Sequence, residues 1–280
     1  MTAQSFAMTS NRGLEQIRSL ALVGAGKMGG AILEGWLALG LDPRAVAVIE
    51  PHPSAELQAL AKRGVSLNPA SPGTMSVMVI AVKPQVAAAV LSEVAPLAGE
   101  GTLAVSIMAG KTLDFLQRFL PKAAVVRAMP NTPAAIGRGI TVAVPGHGVT
   151  AAQRDLANRL LAATGSVEWV ADESLMDAVT ALSGSGPAYV FLLAEAMAAA
   201  GKAAGLPDDL AERLAHQTIS GAGELMRQAD LHPSILRKNV TSPGGTTAAA
   251  LDVLMSPEGL ERLMTRAVAA ATKRSKELAG

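Results

Sequence analysis

The sequence predicts an α/β fold: a doubly wound, mainly parallel sheet over the first two-thirds of the chain, followed by an all-helical domain. Three observations carry this expectation. Short apolar runs alternate with helical patterns as far as Asp172, the rhythm that strand–helix–strand units produce. A glycine-rich turn, Gly24-Ala25-Gly26-Lys27-Met28-Gly29, lies between the first apolar run and the first helical pattern. From Glu173 onward the strand signals stop.

Taken in order, residues 20–23, 45–49, 77–82, 103–106 and 125–127 are short runs, apolar but for Ser106 and Arg127 at the ends of the last two, as strands covered on both faces are. Between them, residues 28–39, 54–62, 85–95 and 112–119 carry helical spacing. Two more strands at 140–144 and 167–170, with a helix at 151–163 between them, complete the sheet. The later helices are separated by Gly, Pro, Ser and Asp punctuation at 183–187, 205–208, 230–234, 242–246 and 256–259. The expected organisation is a flexible extension at 1–17, a dinucleotide-binding domain at 18–172 and a helical domain at 173–280. Residues 189–204 are apolar on more than one face. A helix of that kind is buried, and a small helical domain has little interior in which to hide it. A homodimer interface is the expected solution, with a tightly packed bundle as the alternative.

Composition narrows the function classes. Only 2% of residues are aromatic, so the core is aliphatic. A net charge of +1 without any Lys/Arg cluster speaks against nucleic-acid binding. The chain has no cysteine, which removes disulfides, thiolate catalysis and Cys-ligated metals, and fits a cytoplasmic location. The histidines His52, His147, His216 and His232 lack ligand spacing, so no metal is expected. The most apolar stretch, residues 187–206, contains Glu195 and Lys202 and is too interrupted to span a membrane. The first seventeen residues lack the basic start and apolar run of a secretory signal.

The glycines at 24, 26 and 29 follow a strand and open a helix. That context suits a dinucleotide: a tight turn, close approach to the pyrophosphate, and close helix–sheet packing. Glu50 ends the second strand, where an acidic side chain can accept from the adenine ribose hydroxyls and repel a 2′-phosphate. Ala81-Val82-Lys83-Pro84, Ser106-Ile107-Met108-Ala109-Gly110 and Arg127-Ala128-Met129-Pro130-Asn131-Thr132-Pro133 end later strands at the same edge. The two prolines of the last segment make a rigid turn that can hold Asn131. Near the end of the chain, Ser242-Pro243-Gly244-Gly245-Thr246-Thr247 precedes an alanine-rich helix. It aims backbone N–H groups at one point, a setting for a small carboxylate. A dinucleotide site and a carboxylate site together suggest a dehydrogenase acting on a small acid.

These motifs, with Leu182-Ser183-Gly184-Ser185-Gly186-Pro187-Ala188-Tyr189, resemble pyrroline-5-carboxylate reductase in order and approximate spacing, from about Leu20 to the C-terminus. The resemblance implies a Rossmann-type domain and a helical domain that interlocks two subunits, with dimers assembling into a decamer in many members. It implies NADH or NADPH over the turn from Gly24 to Gly29 and against Ala81, Val82, Lys83, Pro84, Ile107, Met108, Ala109 and Asn68. It implies 1-pyrroline-5-carboxylate held by Ser242, Gly244, Gly245, the Thr246 backbone and Thr247, with the Thr247 hydroxyl meeting the ring nitrogen. Asn239 and Glu173 fall near cofactor or substrate by the same matching, in a site formed across the dimer. Two departures stand out. Glu50 occupies a position where members often carry Ser, Thr or Asn, which points to an NADH preference here. Met108 replaces a smaller residue. Three alternatives stay open at this stage: a hydroxy-acid enzyme using Lys202 or Lys238 as acid/base, a nucleotide sensor without turnover, and a purely structural helical dimer.

Overall fold

The protein is described from a computed structural model, over residues 14–279. Most of the expected 1–17 extension lies outside the described residues. Its last part packs instead of fraying: Leu14 and Ile17 are buried in the main core.

Eight strands form one sheet: β1 (Leu20–Val23), β2 (Val46–Ile49), β3 (Ser66–Leu67), β4 (Met75–Ile80), β5 (Ala98–Ser106), β6 (Ala124–Met129), β7 (Gly139–Pro145) and β8 (Gly165–Trp169). Their spatial order is β3-β2-β1-β4-β5-β6-β7-β8, and every neighbouring pair is parallel except β6–β7. The chain winds outward from β1 to β3, then returns to lay β4 on the other side of β1. That reversal opens a crevice at the carboxyl ends of β1 and β4, the usual place for a ligand in such sheets.

Five helices cover the sheet: α1 (Lys27–Ala38), α2 (Ala55–Ala61), α3 (Ala87–Val94), α4 (Leu113–Phe119) and α5 (Ala151–Leu161). Because strand side chains alternate, each strand feeds two cores. Leu20 and Leu22 join Ile32, Leu33 and Trp36 of α1 and Leu160 of α5 on one face. Ala21 and Val23 join Leu91 of α3 and Leu116 of α4 on the other. The buried Trp36 indole satisfies its N–H by donating to the Leu160 carbonyl at 2.8 Å. Ser54, Thr112 and Thr150 cap α2, α4 and α5, the last in a full capping box with Gln153.

The strands differ from expectation where local signals are weak. β3 has only two residues and leaves no periodic trace. β4 runs two residues earlier than expected and ends at Ile80; the Ala81 N–H still donates to Val23 at the end of β1, and the chain then turns at Lys83-Pro84, where proline offers no N–H. β5 begins at Ala98, ahead of residue 103, with a register shift between Met75 and Val77 on β4 that absorbs Gly99 and Gly101.

The remaining chain is helical: α6 (Met176–Val179), a π-helical turn (Thr180–Gly184), α7 (Gly186–Ala203), α8 (Asp208–Ala229), α9 (Pro233–Asn239), α10 (Thr246–Leu254) and α11 (Leu260–Ala279). Residues up to Gly184, with the chain from Thr272, make one compact unit; Ser185–Ala271 make a second. In the second unit burial is sparse. Ala198 is the buried residue of α7, while Val190, Phe191, Leu192 and Leu193 are exposed. Among the described residues no helix is long and apolar enough to cross a membrane.

Candidate functional site

The turn after β1 is built for close approach. Gly24 adopts φ +87°, a left-handed conformation suited to glycine, and a Cβ there would lie 2.9 Å from the Ala81 carbonyl and the Val82 side chain. Its N–H donates to the Ile49 carbonyl at 2.9 Å, tying the turn to the end of β2. Gly29 is packed against the Gly24 carbonyl, so α1 sits tightly on the turn. Gly26, by contrast, faces open space: a Cβ would meet no atom within 4 Å. Gly26 is also the N-cap of α1, where no side chain caps the helix and no acidic residue occupies the first turn. The first N–H groups of α1 therefore lack intrahelical partners and face an open gap at the positive end of the helix dipole. The chemistry of such an uncapped helix start suits an anion, and the N–H groups of Lys27 and Met28 are the donors available there.

Glu50 lies beside this turn. Its Oε2 accepts from the Ala25 N–H at 3.0 Å and its Oε1 from the His52 N–H at 3.0 Å. Each carboxylate oxygen keeps a further lone pair, so the group can still accept from a ribose hydroxyl. Asn68 is exposed but hydrogen-bonded to Glu50. Its side-chain amide accepts from the Glu50 N–H and donates to the Glu50 carbonyl, both at 2.8 Å.

The other strand ends line the same edge. Ala81 donates its N–H to the Val23 carbonyl at 2.7 Å, and its carbonyl forms the floor beneath Gly24. Lys83 is exposed and leads into the 3-10 turn Pro84–Val86. After β5, the Ile107 and Met108 side chains are buried in opposite cores, leaving Ala109 exposed at this edge. The departure at Met108 is thus absorbed inside the protein. After β6, the Asn131 side-chain carbonyl accepts from the Ile140 N–H at 2.9 Å, which pins the start of β7.

Glu173 is engaged within its own chain. Its Oε1 accepts from Arg127 at 2.7 Å and from the Leu113 N–H at 2.8 Å, on the sheet face that carries α4. Arg127 is only 4% exposed, and this carboxylate is its ion-pair partner. Neither the pairing nor the role of Arg127 follows from the sequence pattern. A charged residue inside an apolar strand is the available signal, since a buried charge requires a partner.

The carboxylate-binding candidates lie in the second unit. Gly244 has φ +67°, the Gly245 N–H donates to the Ser242 carbonyl at 3.1 Å, and the Ser242 side chain packs against Gly245. Gly245 then caps α10 without any side-chain acceptor and with no acidic residue in the first turn. The N–H groups of Thr246 and Thr247 are left for an anion. Asn239 is exposed at the end of α9, a few residues before this loop. Lys202, a candidate acid/base, is instead held by Glu212 at 2.8 Å and Asp208 at 3.6 Å. The hydrogen bond from Lys202 to Glu212 raises its pKa above the ordinary lysine value and keeps it protonated.

Comparison with known proteins accords with these parts. A family described as pyrroline-5-carboxylate reductase dimerisation matches residues 173–278, and one described as NADP oxidoreductase, coenzyme F420-dependent, matches residues 19–110. A pyrroline-5-carboxylate reductase of Glycine max is 39% identical over 93% of this chain and 96% of its own length. One from Synechocystis is 42% identical over 92% and 97%. Among solved structures, a pyrroline-5-carboxylate reductase from Coxiella burnetii superimposes with a TM-score of 0.86 at 35% identity, covering 94% of this chain and 99% of that one. The Plasmodium falciparum pyrroline carboxylate reductase, solved with NADP bound, gives 0.79 at 28% identity, covering 96% and 100%.

Proposed function

The chain belongs to the pyrroline-5-carboxylate reductase family, and from that premise we infer that it reduces 1-pyrroline-5-carboxylate to L-proline with NADH or NADPH. The substrate is a cyclic imine bearing a carboxylate. Its reduction adds a hydride to the C=N carbon and a proton to the ring nitrogen. When bound, the reduced nicotinamide supplies the hydride. What falls to the protein is orientation, anion binding and exclusion of water.

The observation that carries this reading is the uncapped start of α10, with Gly244 in the left-handed region and two successive threonines behind it. In this reading the N–H groups of Thr246 and Thr247 hold the substrate carboxylate. The Thr247 hydroxyl hydrogen-bonds the ring nitrogen and fixes which face of the imine receives the hydride. The gap at Gly26 and the open start of α1 hold the pyrophosphate of the dinucleotide.

Glu50 refines the cofactor. Its carboxylate accepts from the adenine ribose hydroxyls of NADH, whereas a 2′-phosphate brings like charge against it. Unit charges about 4 Å apart at an effective dielectric of about 20 repel by about 4 kcal/mol. Solvent exposure and salt reduce this, so we expect a preference for NADH in the tens-fold range. We also read the exposed apolar helices of the second unit as a homodimer interface, and the resemblance extends this to a decamer.

The test is oxidation of NADH and of NADPH on adding pyrroline-5-carboxylate to the purified protein. Turnover with NADH at lower KM is the expected result. Folded protein that binds NADH yet oxidises neither cofactor overturns the enzymatic reading in favour of a nucleotide sensor.

A further inference from the structure

We propose that the cavity between Arg18 and Arg44, at the amino edge of the sheet, binds a phosphate dianion, either free or carried as a phosphomonoester. The site lies apart from the glycine turn and does not depend on the reading of the chain as a reductase.

The cavity has a volume of about 380 Å³. Its walls are the starts of β1, β2, β3 and β4 and the loop that joins β3 to β4. The turn after β1 is at the opposite end of that strand, about 13 Å away at the usual rise per residue. None of the residues lining the cavity is acidic, while Arg18 and Arg44 bring two guanidinium groups to it.

Arg44 is arranged in advance. Asp42 caps the 3-10 turn Pro43–Ala45, and its Oδ1 accepts from the Arg44 N–H at 2.9 Å and from the Arg44 Nε at 3.2 Å. The arginine stem packs over Gly64, where an added Cβ would lie 3.0 Å from the Arg44 Cγ. Asp42 thus uses one edge of the guanidinium and leaves its terminal nitrogens, a fork suited to two oxygens of one phosphate.

Arg18 makes no ion pair with a described residue, and residues 1–13 contain no Asp or Glu to supply one. Its charge reaches Asp42 at longer range. Hydrogen bonds from Arg44 chiefly hold the Asp42 carboxyl below its ordinary value, and Arg18 adds to the effect. With Asp42 matched to Arg44, the charge of Arg18 is uncompensated and the cavity is net positive. Ser66 and Ser71 add exposed hydroxyls that no described residue engages, whereas the Ser19 hydroxyl is taken up by Ser76. A carboxylate has two oxygens and would satisfy one guanidinium fork. A phosphate has more acceptor oxygens and close to two charges, so both arginines and the serines can engage it together. Pro69 and Pro72 line the remaining wall, an apolar surface for an organic body.

The test is calorimetric titration of the full-length protein with inorganic phosphate and, separately, with phenyl phosphate, at constant ionic strength. NADH and L-proline are present throughout to fill the starts of α1 and α10. Arg18→Gln and Arg44→Gln are each expected to weaken binding about tenfold, the loss of one charge-assisted contact, with the fold and kcat unchanged. The double variant is expected to bind neither probe. Arg118→Gln removes an exposed arginine of α4 and is expected to bind as the unsubstituted protein does. No saturable binding, binding that survives the double variant, or an equal loss in Arg118→Gln overturns the proposal. Tighter binding of phenyl phosphate than of inorganic phosphate supports a phosphomonoester as the ligand, and equal or weaker binding supports free phosphate.

Discussion

The two compact units of this chain handle apolar surface in opposite ways. Every residue of β1 is fully buried, enclosed by helices on both faces of the sheet. On α7, Phe191 and Leu192 are each 62% exposed within one chain, and Ala198 is the residue that is buried. Both segments are apolar, so hydrophobicity does not separate them. Closure does. A sheet covered on both faces completes its own core, whereas helices that are apolar on several sides need a further surface. The chemistry follows the same division. The sheet unit carries an uncapped helix start whose surroundings are fixed by their own hydrogen bonds, and the helical unit carries one on an open loop.

This contrast is broken most severely by placing charge on the unpartnered face. Phe191→Asp would bury an unpaired carboxylate in a homodimer interface, at several kcal/mol for each copy, and a two-fold interface carries it twice. Monomers by sedimentation, with melting that no longer depends on protein concentration, are expected. An unchanged oligomer would show that α7 faces solvent. Leu22→Ala, in the closed core, serves as the counterpart. It should cost about 2–5 kcal/mol without changing the oligomeric state.

A smaller and more local effect is expected at Gly26. Gly26→Val places its side chain where a Cβ meets nothing within 4 Å beyond its own chain neighbours, so the fold should survive while dinucleotide binding is lost. Retained NADH affinity by titration would reduce the turn to a packing feature. The comparison is sharpened last at Thr247. Thr247→Ala removes one hydrogen bond, worth about 1–3 kcal/mol when the partner is left buried and unsatisfied. The loss should appear in substrate kinetics, with Kd for NADH nearly unchanged. Unaltered substrate kinetics would remove Thr247 from the site.

Much of this architecture is legible in the order of the residues. Strand β1, the glycine turn and the start of α10 lie where the residues place them, because each is written in adjacent positions: an apolar run, glycines at fixed offsets, a proline–glycine loop before alanines. Thr150 and Gln153 likewise mark the start of α5 by local capping alone. The resemblance to a known family is visible for the same reason, since it rests on short contiguous motifs.

Other features needed the folded chain. The two-residue β3 exists because Ala47 and Val48 of β2 offer it a ladder, not because its own sequence prefers a strand. Met108 turns inward because the core between sheet and helix accepts it. Glu173 meets Arg127 across 46 positions of sequence, and Asn68 meets Glu50 across 18. Such contacts join one residue to one distant residue, so they leave no period or spacing to read. Sequence alone determined most of the strands and helices and the glycine turns between them, because those depend on neighbours along the chain. Tertiary structure decided which polar side chains hold which others, because a buried or strand-end polar group takes whatever partner the packing brings within hydrogen-bond reach.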